Sequence, residues 1–142
     1  MSLFNSLQVS ASGMSAQRTR AEMIVENMAN AETTRTPEGG PYKRKDVVFA
    51  TDLQTSPFSS VFQNELAEGV RVAQVVQDNR APEMRYLPGH PDADANGYVA
   101  FPRMNPAEEM TDLLGASRGY QGNVVAIAAV KDMINHSIDI LR

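Results

Sequence analysis

Two stretches of the chain repeat apolar or small side chains at alternating steps of four and three. In residues 3–31 the positions are Leu3, Leu7, Ser10, Met14, Gln17, Ala21, Ile24, Met28 and Ala31. In residues 110–141 they are Met110, Leu113, Ser117, Tyr120, Val124, Ile127, Lys131, Ile134, Ile138 and Leu141. A 3.5-residue repeat keeps one stripe of a helix turned toward a partner along its whole length. Neither stripe can bury itself, so the two helices are expected to pair with each other, with further copies, or with both.

The first helix is predicted from near Ser2 to about Ala31, about 40 Å long at 1.5 Å per residue. Ser10, Ser12, Gly13 and Ser15 weaken it, and Gly13 fits either simple tolerance or close approach of a neighbouring helix. Thr36-Pro37-Glu38-Gly39-Gly40-Pro41 then breaks the pattern into a loop. Lys45 to Phe49 predicts a short strand, and residues 51–68 a polar connector. Strict alternation from Gly69 to Asp78 predicts a strand with Val70, Val72, Gln74 and Val76 on one face. Pro82, Pro88, Gly89 and Pro91 mark loop, and Gly97 to Phe101 a last short strand.

Asn105 and Pro106 predict the start of the final helix. Asn is a strong N-cap, and proline fits the first helical position, where an N–H would have no partner. Glu108 and Glu109 suit the positive end of the helix dipole. Gly115, Gly119 and Gly122 imply a kink or very tight packing before Val124. The expected fold is mainly α with a small β-rich central module. Long N- and C-terminal helices pair as a coiled coil, divided as a helical arm 1–34, a loop and β module 35–104, and a helical arm 105–142. The two arms form one helical domain.

Composition narrows the function. Thirteen Lys and Arg stand against 17 Asp and Glu, a formal charge of −4, which argues against a nucleic-acid partner. Lys43-Arg44-Lys45 is the one basic run. With no cysteine there is no disulfide or thiolate metal site. The first residues lack the basic and apolar regions of a cleavable signal. Tryptophan is absent and eight methionines partly replace aromatics, so the core of an isolated subunit is expected to be small.

Candidate chemistry is sparse. Asp92-Ala93-Asp94-Ala95-Asn96-Gly97 resembles the first half of a calcium loop, with oxygen ligands at alternate positions and Gly at the sixth. The twelfth position is Arg103 where such a loop has Glu. The favoured reading is a tight turn in which Asp and Asn bond the local backbone, and the alternative function is a calcium-dependent binding module that uses Asp92, Asp94 and Asn96. His90 and His136 lie in different elements, and no phosphate loop, nucleophile elbow or paired histidine motif occurs. No cofactor, small-molecule substrate or catalytic activity is expected.

The segment Asn27-Met28-Ala29-Asn30-Ala31-Glu32-Thr33-Thr34 resembles the end of the N-terminal helix in flagellar axial proteins, the rod and hook family. The long turn from Thr34 to Phe49, Pro88-Gly89-His90-Pro91-Asp92-Ala93-Asp94, Asn105 to Met110 and Ser117 to Val124 are similar to the family's proximal-rod members. Many members carry Glu at the position of Gln121 and Ala at that of Gly122. The resemblance implies a structural subunit of the bacterial flagellar basal-body rod, assembled through its terminal helices into a helical tube that transmits torque.

The implied partners are other copies, other flagellar rod proteins and the flagellar type III export apparatus. The implied location is the periplasmic rod, reached without a cleaved signal. Asn27 and Asn30 would join the stripes at the assembly interface. Pro37, Gly39, Gly40, Tyr42, Lys43 and Arg44 would lie in a loop against neighbouring subunits. Phe58-Ser59-Ser60-Val61-Phe62 is similar to the export signal of rod and hook substrates.

Overall fold

The computed structural model of the chain describes residues 3–52 and 69–140. The export-like segment 58–62 and Leu141 lie outside the described residues. Helix α1 spans Leu3–Ala29, strands β1 to β4 span Lys45–Thr51, Val70–Gln77, Glu83–Tyr86 and Tyr98–Phe101, and helix α2 spans Pro106–Ile140.

Both helix boundaries follow from asparagines. Asn30 stops α1: its amide nitrogen donates to the Glu26 carbonyl at 2.9 Å and its amide oxygen accepts from the Thr33 hydroxyl at 3.2 Å. Asn105 starts α2, its side-chain oxygen accepting from the Ala107 N–H at 3.0 Å, as an N-cap should. Pro106 takes the first helical position.

The helices lie antiparallel. Gly13 of α1 lies against Asn123 of α2, Gln17 against Gly119, and Asn27 against Glu109, so numbering runs in opposite senses along the contact. The other face of α1 carries the β1–β2 sheet, while α2 packs on α1 alone among these elements. This makes α1 the middle of three layers. Ser12 pins the sheet: its hydroxyl donates to the Val9 carbonyl at 2.7 Å and accepts from the Val70 N–H at 3.0 Å.

Strands β1 and β2 pair antiparallel from Lys45 opposite Gln77 to Thr51 opposite Val70. Val48 faces Gln74 but Phe49 faces Val72, so Ala73 is an extra residue in β2. A one-residue bulge turns all later side chains to the other face. The alternation expected from Val70 to Val76 therefore holds only through Val72, and Val75 and Val76 are both exposed. Strand β3, within a stretch expected to be loop, pairs antiparallel with β4 from Glu83 opposite Phe101 to Tyr86 opposite Tyr98. Tyr86 and Tyr98 meet edge to face at 5.3 Å, and the Arg85 guanidinium stacks 4.8 Å above the Phe101 ring.

The core is thin. Ala16, Ile24, Tyr42, Val99, Phe101, Pro102, Ala116 and Val130 are its buried apolar side chains among the described residues, joined by buried Asn27 and Glu109.

Candidate assembly surface

The α1–α2 seam is built from small and polar residues. A Cβ placed on Gly119 would sit 3.1 Å from the Gln17 side chain, and one on Gly13 would sit 3.0 Å from Asn123. Each helix thus inserts an amide side chain over a glycine of the other, which lets the backbones approach closely. Asn123 also donates to the Gly119 carbonyl at 2.9 Å, which fixes its position. Nothing lies within 4 Å of a Cβ on Gly115 or Gly122. Alanine at either of those two should therefore stabilise the isolated chain by about 0.5–1 kcal/mol through helix propensity alone. Alanine at Gly119 should gain less, because Gln17 must move aside. Urea denaturation of the three single variants measures the difference; equal gains at all three would contradict the tight seam.

On α2 the covered face follows Glu109, Leu113, Ala116, Gly119, Asn123, Ile127, Val130 and Ile134, all buried or half-buried. Of the α2 stripe read from the sequence, Leu113, Ile127 and Ile134 lie on this face. Met110, Ser117, Tyr120, Val124, Lys131 and Ile138 are exposed. On α1 the stripe coincides with covered positions: Leu7, Met14, Ala21 and Met28 are half-buried and Ile24 is buried, while Leu3 is exposed. Leu114 and Val125, which the stripe did not include, are 59% and 67% exposed. Met110, Leu114, Val124, Val125, Met133, Ile138 and Ile140 leave α2 with extensive uncovered apolar surface.

A buried polar knot ties the end of α1, the start of β1 and the start of α2 together. The Asn27 amide nitrogen donates to the Lys45 carbonyl at 2.8 Å and to Glu109 Oε2 at 3.1 Å. Its oxygen accepts from the Tyr42 hydroxyl at 3.0 Å and from the Lys45 N–H at 2.9 Å. All four hydrogen-bonding capacities of this side chain are used. Glu109 Oε1 accepts from Arg44 Nε at 2.5 Å, and Arg44 also reaches Asp46 at 3.3 Å and Asp112 at 3.7 Å. Lys45 pairs with Glu26 at 2.5 Å. The side chain of Asn27 is spent inside the subunit, where it shapes the surface rather than lining it.

The Tyr42 phenol is pushed up to about 12, chiefly by burial, with the Glu26 and Glu109 carboxylates adding to the effect. A raised phenol favours the neutral, hydrogen-bonded form. Its stabilising contribution is complete below the free-phenol value near 10 and is lost as pH climbs toward 12. Absorbance titration should show one tyrosine ionising about two pH units late, and Tyr42→Phe should remove that late step. Persistence of the step in the variant would refute the assignment.

Between the knot and the sheet, residues 33–42 fold into a hairpin-like rib. The Thr36 N–H donates to the Gly40 carbonyl at 2.9 Å, and the Tyr42 N–H reaches the Thr33 carbonyl at 3.0 Å. Gly39 and Gly40 have φ of 89° and 77°, a left-handed pair that side chains with a Cβ seldom adopt. Pro37, Gly39, Gly40 and Lys43 are exposed at the rib's tip, Arg44 is half-buried, and Tyr42 anchors the base.

The calcium-like sequence forms a turn. Asp94 Oδ1 accepts from the Asn96 and Tyr98 N–H groups, both at 2.8 Å. Asp92 Oδ2 accepts from the Thr34 hydroxyl at 2.8 Å, which ties the β3–β4 hairpin to the base of the rib that follows α1. Among the described residues no three His, Asp or Glu side chains converge as metal ligands, and no helix is long and apolar enough to cross a membrane.

Known proteins resemble the chain along nearly its whole length. It is 38% identical over 151 aligned positions to a flagellar basal-body rod protein FlgC of Borreliella burgdorferi, covering 100% of this chain and 99% of the relative. It is 37% identical to the FlgC protein of Bacillus subtilis, with 99% of each covered. The chain belongs to the FlgC family of flagellar basal-body rod proteins. It is also 36% identical to the Salmonella typhimurium member, with 94% of each chain covered. A family model described as the C-terminal region of flagellar basal body rod FlgEFG proteins matches residues 95–140. That match spans β4 and α2, and so takes in Glu109, the seam residues and the uncovered apolar face.

Proposed function

We propose that this chain is a structural subunit of the flagellar basal-body rod, with the antiparallel helix pair as its building arm. Full-length similarity to FlgC proteins carries the reading, and the uncovered apolar surface of α2 gives it a mechanism. Met110, Tyr120, Val124 and Ile138 would meet neighbouring subunits, while Ile24, Leu113, Ile127 and Ile134 hold the pair from which they project. Pro37, Gly39, Gly40 and Lys43 would form the contact loop, braced from beneath by Asn27, Asn30, Tyr42 and Arg44. Its neighbours would be further copies and other rod proteins in a periplasmic tube that carries torque. It would reach that tube through the flagellar type III export apparatus. Each α2 that finds a partner removes apolar surface from water at about 25 cal/mol per Å². The role needs no catalytic step.

Deletion of the gene in a motile host, followed by purification of basal bodies, tests the reading. Motility should disappear and return with the intact gene, and the chain should be found in the purified rods. Basal bodies that lack the chain but support normal swimming would overturn it.

A further inference from the structure

A cleft of about 110 Å³ opens on one side of the glycine rib, between the rib, the β2–β3 connection and the end of β4. Its walls include the rings of Pro41, Pro82 and Pro102 and the base of Tyr42. Four cations border it, against one carboxylate, Asp78. They differ in how far they are neutralised. Arg44 is held by Glu109 and Asp46, and Arg80 by Asp78 at 2.6 Å. Among the described residues Lys43 reaches only the neutral amide of Asn79, at 3.4 Å. Arg103 is exposed, with no carboxylate within ion-pair distance among the described residues. A chain of net charge −4 thus concentrates at one cleft two cations, Lys43 and Arg103, that belong to no ion pair among the described residues, although the charge of Arg103 still acts on Asp78.

We propose that this cleft receives an acidic side chain, a glutamate or aspartate in a segment of a neighbouring protein subunit. The neighbour rests on the rod reading above; the chemistry of the cleft does not. The volume suits one side chain and is small for a sugar or nucleotide. Proline walls are rigid and apolar, and so cover the methylene stem of a glutamate while the rim cations hold its carboxylate. Arg103 offers two N–H groups in a fork that matches a carboxylate, and Lys43 adds a mobile point charge. Such a contact adds specificity and steering to an interface whose apolar area lies elsewhere, on α2.

Titration of the intact chain with a hexaglutamate peptide, followed by amide chemical shifts, tests the proposal. Shifts should concentrate at residues 39–44, 78–81 and 103, and should weaken as salt rises from 50 to 500 mM. Lys43→Gln with Arg103→Gln should weaken binding at least about ten-fold without changing the melting temperature, because both side chains are exposed. Asp78→Asn should tighten it by about two- to five-fold. It removes the competing charge and keeps the oxygen that accepts from the Arg80 N–H at 3.0 Å. No hexaglutamate binding, binding of inorganic polyphosphate alone, or equal binding by the double variant would each overturn the proposal.

The same double variant in cells separates it from the rod reading. Impaired swimming together with lost peptide binding supports a subunit contact at the cleft. Full motility despite lost binding overturns the assignment to a neighbouring subunit, and with it the place of Lys43 in the contact loop, and leaves the rod role of the helix pair intact.

Discussion

Ile24→Asp is expected to abolish assembly and to cost the isolated chain about 3–5 kcal/mol, the range for a buried charge without a partner. Ile24 is 4% exposed, on the helix that lies between α2 and the sheet. A carboxylate there can keep its charge only by opening one of those layers. With so few buried side chains in the subunit, a loss of that size is a large fraction of its stability. Val125→Asp should behave differently. Val125 is 67% exposed, so the isolated chain should melt within about 0.5 kcal/mol of the parent while incorporation into rods fails. Thermal melts of both variants, paired with basal-body composition, separate folding from assembly. Normal rods containing Val125→Asp would remove that part of α2 from the interface.

Asn27→Asp is expected to be nearly as damaging although it changes one atom. The substitution deletes the donor that reaches both the Lys45 carbonyl and Glu109, and sets two carboxylates about 3.1 Å apart in a buried site. A loss of about 3 kcal/mol or more is expected at neutral pH. Glu109→Gln should rescue it in part, because a glutamine amide can donate to the new carboxylate while Arg44 retains Asp46 and Asp112. A double-mutant cycle by urea denaturation measures the coupling. Strictly additive losses would show that Asn27 and Glu109 do not act as a unit.

Capping chemistry at Asn105-Pro106 was readable because it is local: a side chain, its own backbone and a fixed φ decide it. The period of the two helices was also readable, and on α1 so was its phase, because Leu7, Met14, Ala21, Ile24 and Met28 are both apolar and covered. On α2 the phase moved. The seam there is closed by Glu109, Ala116, Gly119 and Asn123, which no hydrophobic count selects, while Met110, Tyr120 and Val124 are left uncovered. Closely packed helices favour small residues at the contact and free large ones for a second partner, so the most apolar stripe was not the intramolecular one. A run of small residues at steps of three and four, with an asparagine facing Gly13, was the signal available.

Strand β3 was not legible because all four residues of Glu83-Met84-Arg85-Tyr86 are exposed, show no alternation of burial and owe their form to pairing with β4. The bulge at Ala73 has no local signature either. The polar knot joins residues that only the fold brings together. The motif around Asn27 and Asn30 pointed to its location, although neither the burial of Asn27 nor its tie to Glu109 could be read from the order of residues.

The Asn27–Glu109 bond joins positions 82 residues apart. Under the export route proposed above, with the N-terminus leading, this would set a timetable. The N-terminal helix would emerge while its counterpart was still inside, with its contacts to α2 unmade. Distant contacts close slowly because the intervening chain must first be ordered. The knot would then act as a latch that engages only when nearly the whole polypeptide has been delivered, and would keep a half-exported subunit from setting prematurely into a shape that could not be threaded further.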